Sequence, residues 1–294
     1  MYLAKISSLR PTAIHFQFKR EQILLTRVLG KQYRVVWTEH GRFPGGPLGA
    51  LLKRMYRRSS GSVSSIICVS PDVQADLAGR ISVDREVLQV VLNPVDRVKF
   101  APNVALRIAS RKEFGFTDSD VVYVSLSRLE QVKGVDRVLK AVSLLPKTSV
   151  VLVAGEGRES ENLKRLSSEL GVRAIFTGFT SHPERILQAG DVYCVGSRPD
   201  AREGAPLSVL QALSVGLPVV AASDSGLSDW LDSRGGIVAD PDPISFATAL
   251  KRGHSAKEQI IEQATPLLAE HDSTVWSEET VRIIVGLRND SPSA

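Results

Sequence analysis

The sequence predicts an α/β protein of two doubly wound domains, the first incomplete, and three observations carry that expectation. Short β-rich runs alternate with helix-length segments from end to end, the pattern of βα units that feed parallel sheets. Apolar runs such as Ser149–Ala154 and Leu217–Ala222 have the length of strands. Glycines at Gly155, Gly178 and Gly204 stand just after or near strand ends, where the ligand crevice of an open α/β sheet is expected.

In the first part, strands are predicted at Ala13–Phe18, Arg34–Thr38, Ile66–Val69 and Leu88–Leu92, separated by helices near Glu21–Leu29, Leu48–Arg58 and Pro71–Gly79. Ser70-Pro71-Asp72 supplies a helix cap, a proline at the first helical position and an acid in the first turn. Asn93-Pro94 closes this part, and the polar stretch to Pro102 reads as a linker. The second part offers strands near Val121–Leu126, Ser149–Ala154, Ala174–Thr177, Val192–Gly196, Pro218–Ala222 and Gly236–Ala239, then a largely helical stretch from Ile244 to Leu287. The expected organisation is a partial domain over 1–102, a complete one over 103–275, and a C-terminal helix and tail over 276–294. The first is too short, since a complete doubly wound domain takes about 150 residues. Tyr2–Leu9 reads as the middle of a helix, as if the chain began inside a fold.

Composition narrows the function classes. The 294 residues are 43% hydrophobic and 23% charged, ordinary globular values, and no apolar run approaches the ~20 residues of a membrane span. The N-terminus lacks the apolar segment and cleavage site of a signal peptide, so the expected compartment is the cytoplasm. Cys68 and Cys194 each lie in an apolar strand-like run without a second ligand at metal spacing, and read as inert core residues. The net charge of +5 favours anionic partners without choosing among them. The densest basic cluster, Lys53, Arg54, Arg57 and Arg58, lies on a helix-like segment; it reads as a solvated face or as a contact for an anionic membrane surface. Low aromatic content and the lack of a base-stacking motif argue against nucleic acid.

The most informative stretch is REGAPLSVLQALSVGLPVVAASDSGLSDW at Arg202–Trp230, a glycine-containing loop that opens a helix, followed by a tight Gly-Leu-Pro turn and a buried strand. It closely resembles the signature of glycosyltransferase family 4, in which a Glu-Gly-x-Pro loop begins a helix with a second acid eight positions after the first. SRLEQVKG at Ser127–Gly134 resembles that family's Arg-Leu-x-x-x-Lys-Gly phosphate clamp, and VAGEG at Val153–Gly157 resembles its strand-ending glycine turn. TEHG at Thr38–Gly41 and VSPDVQADL at Val69–Leu77 resemble acceptor-domain segments. The resemblance runs from about His15 to Gly236 and implies a GT-B-like fold of two Rossmann-type domains and a retaining sugar transfer.

Independently of any family, a sugar nucleotide carries its charge on the diphosphate, and breaking the sugar–phosphate bond adds charge to the departing oxygen. Arg128 and Lys133, in the loop before a helix starting at Gly134, can each offer charge-assisted bonds of ~1.5–3 kcal/mol. The amides after Gly204, at Ala205 and the helix start Leu207, add a dipole end suited to anions. Groups that grip the departing diphosphate more tightly than the bound donor lower the barrier. Gly134, Gly155, Gly178 and Phe179 complete the expected donor-binding set. The competing reading makes Arg128 and Lys133 ordinary surface cations.

The resemblance further implies that Glu203 holds donor-sugar hydroxyls and that the residue eight later holds the ribose. Here that residue is Gln211, which lacks a full charge. The glutamate usual after the family's double-glycine turn is also changed, since Ser225-Gly226-Leu227-Ser228 leads into Asp229. Glu203 has a competing reading as a cap of its own loop. His40 matches the acceptor-domain histidine that faces the reacting sugar, a hydrogen-bonding or proton-handling position; a packed or solvated histidine is the rival, and His15 reads as structural.

Two Asp-x-Asp patterns, Asp118–Asp120 and Asp240–Asp242, read as turns, so no metal and no other cofactor is expected. Gly155-Glu156-Gly157 is a weak dinucleotide signal, because Ser160 stands where a third glycine belongs. The expected partners are a nucleotide-sugar donor and a saccharide or lipid-linked acceptor, with peripheral contact at the inner membrane face. The rival reading is a truncated, non-catalytic nucleotide-sugar-binding protein or a subunit whose first domain a partner chain completes. A nicotinamide oxidoreductase is a third, remote reading.

Overall fold

A computed structural model describes residues 6, 8–41, 43, 46–201, 206–231 and 234–287. The chain divides into two compact units, Met1–Asn93 with Ser273–Ala294, and Pro94–Asp272.

The first unit is built on a four-stranded parallel sheet in the order β1 (Ala13–Phe16), β2 (Arg34–Glu39), β3 (Ser65–Cys68), β4 (Leu88–Val90). Alternation along the strands sends Phe16, Val35, Trp37, Ile66 and Cys68 to one face. There they meet α1 (Lys19–Leu29), α2 (Gly46–Ser60) and α3 (Pro71–Asp76), through Ile23, Leu29, Tyr56, Val73 and Leu77. Val36 and Ile67 point to the other face and are covered by Ile283 of α12 (Ser273–Val285), the last helix among the described residues. Arg34 fixes that helix from below, donating from Nε to the Ile284 carbonyl at 3.1 Å and from Nη2 to the Ile283 carbonyl at 3.0 Å. A guanidinium on the last carbonyls both satisfies them and opposes the negative end of the helix dipole. The Ser70-Pro71 start of α3 is as the sequence predicts, with the Ser70 hydroxyl accepting from the Val73 amide at 3.3 Å. Of the helix expected at the very beginning, Ile6, Ser8 and Leu9 are helical, and the rest lies outside the described residues.

The second unit holds a six-stranded parallel sheet ordered β10-β9-β8-β5-β6-β7, with β5 Val121–Leu126, β6 Ser149–Ala154, β7 Arg173–Phe176, β8 Val192–Val195, β9 Val219–Ala222 and β10 Gly236–Ala239. The chain runs outward from β5 to β7, then returns to lay β8 on the other side of β5, so the winding reverses between β5 and β8. Both faces are covered, as the unbroken apolar strands require. Val124, Leu152, Tyr193, Val219 and Ala221 pack against α7 (Pro183–Ala189), α8 (Leu207–Ser214) and α11 (Lys257–Glu270). Their neighbours Tyr123, Val151, Val153, Val192, Cys194 and Val220 pack against α5 (Val135–Val142) and α10 (Pro243–Ser255). The remaining helices of this unit are α4 (Val104–Glu113), α6 (Ser160–Glu169) and the short α9 (Ser228–Leu231). No helix among the described residues is long and apolar enough to cross a membrane.

Candidate functional site

Where the winding of an open α/β sheet reverses, neighbouring loops leave in opposite directions and open a crevice at the carboxyl ends of the strands. The second unit has a pocket of about 140 Å³ at that place. Its walls come from the end of β5 and the following loop (Ser125–Arg128, Lys133), the end of β8 (Tyr193–Val195, Ser197) and the start of α8 (Pro206, Ser208, Val209). Arg128 and Lys133, five positions apart in the predicted loop, thus share one cavity with the helix N-terminus that the sequence offered as a dipole end for anions. The Arg128 side chain is largely exposed, and its Nη1 donates to Glu130 Oε1 at 2.9 Å.

The loop that carries the two cations is held by close backbone approach. Gly134 caps α5 with φ +63°, and a Cβ there would stand 1.8 Å from the Gly196 carbonyl oxygen; a Cβ on Gly196 would stand 2.2 Å from that of Gly134. Only two glycines allow the β5 and β8 loops to touch in this way. Gly155, at φ +134°, lies equally close to the Ser127 carbonyl, and the Leu129 amide donates to the Glu156 carbonyl at 2.8 Å. The glycine turn after β6 is therefore a support beneath the Arg128 loop. Gly178 follows β7, where its carbonyl accepts from the Gly155 amide at 2.8 Å; Phe179 beside it is exposed, and its amide donates to Glu156 Oε1 at 3.3 Å.

Two bidentate ion pairs lock the same edge. Arg137 binds Asp224 through both terminal nitrogens at 2.8 and 2.9 Å, and its Nη1 also reaches the Gly196 and Ser197 carbonyls at 3.2 Å. Arg198 binds both oxygens of Asp136 at 2.9 Å. Burial works against the charged form of Asp136, but the Arg198 guanidinium outweighs it and holds the carboxyl below its ordinary range. Sequence reasoning missed these four residues, and it also missed Ser125, Tyr193, Ser197 and Ser208 as lining groups. Nothing in the local sequence marks Tyr193, whose hydroxyl donates to the Leu126 carbonyl at 3.0 Å, because that contact exists only once β8 lies beside β5.

Leu207 is the first residue of α8 and half exposed, and Gln211 is one turn further along, half-buried. Glu203, Gly204 and Ala205 lie outside the described residues, as does the side chain of Asp229. Both Asp-x-Asp patterns are turn chemistry. Asp120 accepts from the Thr117 amide at 2.7 Å and pairs with Arg173, while Asp242 caps α10 by accepting from the Ile244 and Ser245 amides. Cys68 and Cys194 are buried, and burial pushes the Cys68 thiol up to about 12 and that of Cys194 higher still. Cys194 nonetheless contributes to the pocket wall.

His40 belongs to the first unit, directly after β2, and its side chain is exposed. Beneath it is a cluster that the sequence does not announce. Glu39 is 1% exposed and forms an ion pair with Lys19, whose ammonium also lies 4.6 Å from the centre of the Phe43 ring. Tyr56 and Gln22 flank the same carboxylate. Burial raises the Glu39 pKa against the opposing pull of Lys19. His15, expected to be structural, shares a 2.7 Å hydrogen bond with the Thr38 hydroxyl. Both imidazoles are pushed toward the neutral form, His40 by desolvation and then by the Lys19 charge, and His15 by burial and then by His40.

Two parallel-sheet units, one with a cation-lined crevice at its switch point, define the architecture of the GT-B class of sugar-transfer proteins. The chain belongs to the glycosyl transferases group 1 family, whose model matches residues 107–263, and residues 2–99 match the model for glycosyltransferase family 4. A mannosyltransferase of Mycolicibacterium smegmatis, described as GDP-mannose-dependent and acting on phosphatidylinositol monomannoside, is 29% identical over 73% of the chain and 59% of the relative. A Corynebacterium glutamicum mannosyltransferase described as acting on a monoacylated form of that lipid is 30% identical over 53% of the chain and 44% of the relative. The chain spans about half the length of the curated relatives it matches. Among solved structures, Anabaena HepE in complex with UDP superposes with a TM-score of 0.84 over 97% of this chain and 82% of that one, at 17% identity.

Proposed function

We propose that the chain is a glycosyltransferase that moves a sugar from a nucleoside-diphosphate donor to a hydroxyl of a saccharide or lipid-linked acceptor, in polysaccharide or glycolipid synthesis. The observation that carries this reading is the pocket at the β5/β8 switch point, where Arg128 and Lys133 face the start of α8. In the proposed course the bond between the sugar's anomeric carbon and the β-phosphate oxygen breaks, the acceptor oxygen forms the new bond on the same face, and its proton passes to a phosphate oxygen. Retention follows from the family resemblance. Arg128, Lys133 and the positive end of α8 meet the charge that develops on the leaving diphosphate, so neither a metal nor a cofactor takes part. Glu203, Gln211, Gly178 and Phe179 complete the donor site, and His40 serves the acceptor side as a neutral hydrogen-bonding or proton-handling group. The nucleotide donor is supported by the relative described as GDP-mannose-dependent and by the neighbour solved with UDP. A lipid acceptor is supported by the lipids named for both mannosyltransferases, and the setting proposed with it is the cytoplasm at the inner face of a membrane.

Calorimetric titration with UDP and GDP tests the assignment. The chain should bind one of them, and Arg128→Ala combined with Lys133→Ala should weaken that binding about a hundredfold, the consequence of losing two charge-assisted contacts of ~1.5 kcal/mol each. Unchanged affinity in the double variant overturns it. Nucleotide binding without sugar transfer or donor hydrolysis selects the non-catalytic reading instead.

A further inference from the structure

The outward sides of α1 and α2 combine exposed apolar and basic side chains. On α2, Leu48, Leu51 and Met55 recur at the spacing of one helical stripe and are 70%, 56% and 38% exposed. Gly49, Tyr56, Ser59 and Ser60 form the buried side, which borders that stripe. Along the solvent side next to that stripe run Arg54, Arg57 and Arg58, with Lys53 at its margin, and the helix contains no acidic residue. The adjacent α1 repeats the arrangement, with exposed Leu24 and Val28 one turn apart beside exposed Arg20 and Arg27. The two helices lie side by side on one face of the first sheet, tied by the Ser59 hydroxyl donating to the Ile23 carbonyl at 2.9 Å. Among the described residues no carboxylate pairs with any of these guanidinium groups. A salt-bridge surface would interleave acids, and a solvated face has no use for so many large apolar side chains.

We propose that this two-helix face docks on an anionic lipid bilayer, with the leucine, valine and methionine side chains entering the headgroup–acyl boundary and the arginines meeting lipid phosphates. Apolar insertion combined with attraction of basic groups to an anionic surface is the way an interfacial helix binds. The proposal rests on the membrane-side acceptor suggested above and deepens it by naming the surface and the lipid charge it needs. Leu48 and Leu51 lie in the end of α2 that follows His40, so docking brings the acceptor-side loop to the lipid surface.

Co-sedimentation of the full chain with vesicles tests it. The protein should sediment with phosphatidylcholine vesicles containing phosphatidylglycerol, should stay in solution with phosphatidylcholine alone, and should lose binding as salt rises. Arg54→Glu with Arg58→Glu should weaken binding at least tenfold. Leu48→Ser with Leu51→Ser should weaken it at low salt as well, and Lys112→Glu, on α4 of the other unit, should leave it unchanged. Each variant is also titrated with nucleotide. Vesicle binding lost while nucleotide affinity is kept supports the docking face separately from the donor site. Vesicle binding retained in a chain that binds no nucleotide overturns the donor reading alone. Equal sedimentation of wild type and both double variants, or of wild type with neutral and anionic vesicles, overturns the proposal. So does self-association in sedimentation velocity that Leu48→Ser with Leu51→Ser abolishes while vesicle binding is absent, which would assign the face to a second copy of the chain.

Discussion

The carboxyl edges of the two sheets hold the residues that follow a strand by different physics. In the second unit the β5 loop is gripped by backbone: Gly134 against Gly196, Gly155 against Ser127, with the Arg137–Asp224 and Arg198–Asp136 pairs bracing the outside. In the first unit the β2 loop rests on side chains, a nearly inaccessible Glu39 clamped to Lys19 with Tyr56 and Phe43 packed around them. Backbone contact leaves the loop little freedom and holds Arg128 and Lys133 at the wall of the pocket. Desolvation lowers the proton affinity of His40 first, and the Lys19 charge lowers it further.

The comparison breaks most visibly if the glycine contact is dispensable. Gly134→Ala forces a Cβ into the Gly196 carbonyl at a positive φ, and should cost about 3 kcal/mol or more of stability together with nucleotide binding, read by urea unfolding and calorimetry. Full retention of both would mean that the loop is held some other way. Arg137→Ala should cost about 2 kcal/mol, because it removes a bidentate pair and two carbonyl contacts on a side chain that is 18% exposed. Its effect on nucleotide affinity should be smaller than that of the paired Arg128 and Lys133 substitution.

The side-chain version of the edge is tested by pH. Because the folded pKa of Glu39 lies above its ordinary 4.5, the native state, in the pH window between the two values, holds a proton that the unfolded chain has released. Stability from this group is therefore full below the ordinary carboxylate value and falls as pH rises through the folded one. Glu39→Gln should flatten that part of the stability–pH curve, with a difference on the order of 1 kcal/mol between the two proteins; an identical slope would show that the carboxylate does not titrate there. The smallest expected effect is on His40. Its pKa is depressed first by desolvation and then by Lys19, so Lys19→Met should raise it part of the way toward 6.5 and move the acid limb of any His40-dependent activity to higher pH. An NMR titration of the imidazole reads this directly, and no shift, or a downward one, would remove Lys19 from the account.

Much of this architecture was legible because it is local. The α/β alternation, the extents of β5, β6 and β10, the Ser70-Pro71 cap and the turn character of both Asp-x-Asp patterns follow from residues close in sequence. The loop of Arg128 and Lys133 was legible for the same reason. Glu39 was not: in the sequence it is simply the acid before His40, and an acid ending a strand is ordinarily solvated.

The sequence by itself determined the βα periodicity, the positions of the crevice loops and the residue types available to grip a diphosphate, since period, turn chemistry and charge are carried by near neighbours in the chain. Only the tertiary structure decided that β8 lies beside β5, which brings Tyr193, Ser197 and Gly196 to the Arg128 loop, and that the last helix covers the first sheet through Ile283. Strand order and the docking of distant helices depend on which apolar faces fit together across long separations, a matter of shape and burial summed over many residues that no single stretch of sequence encodes.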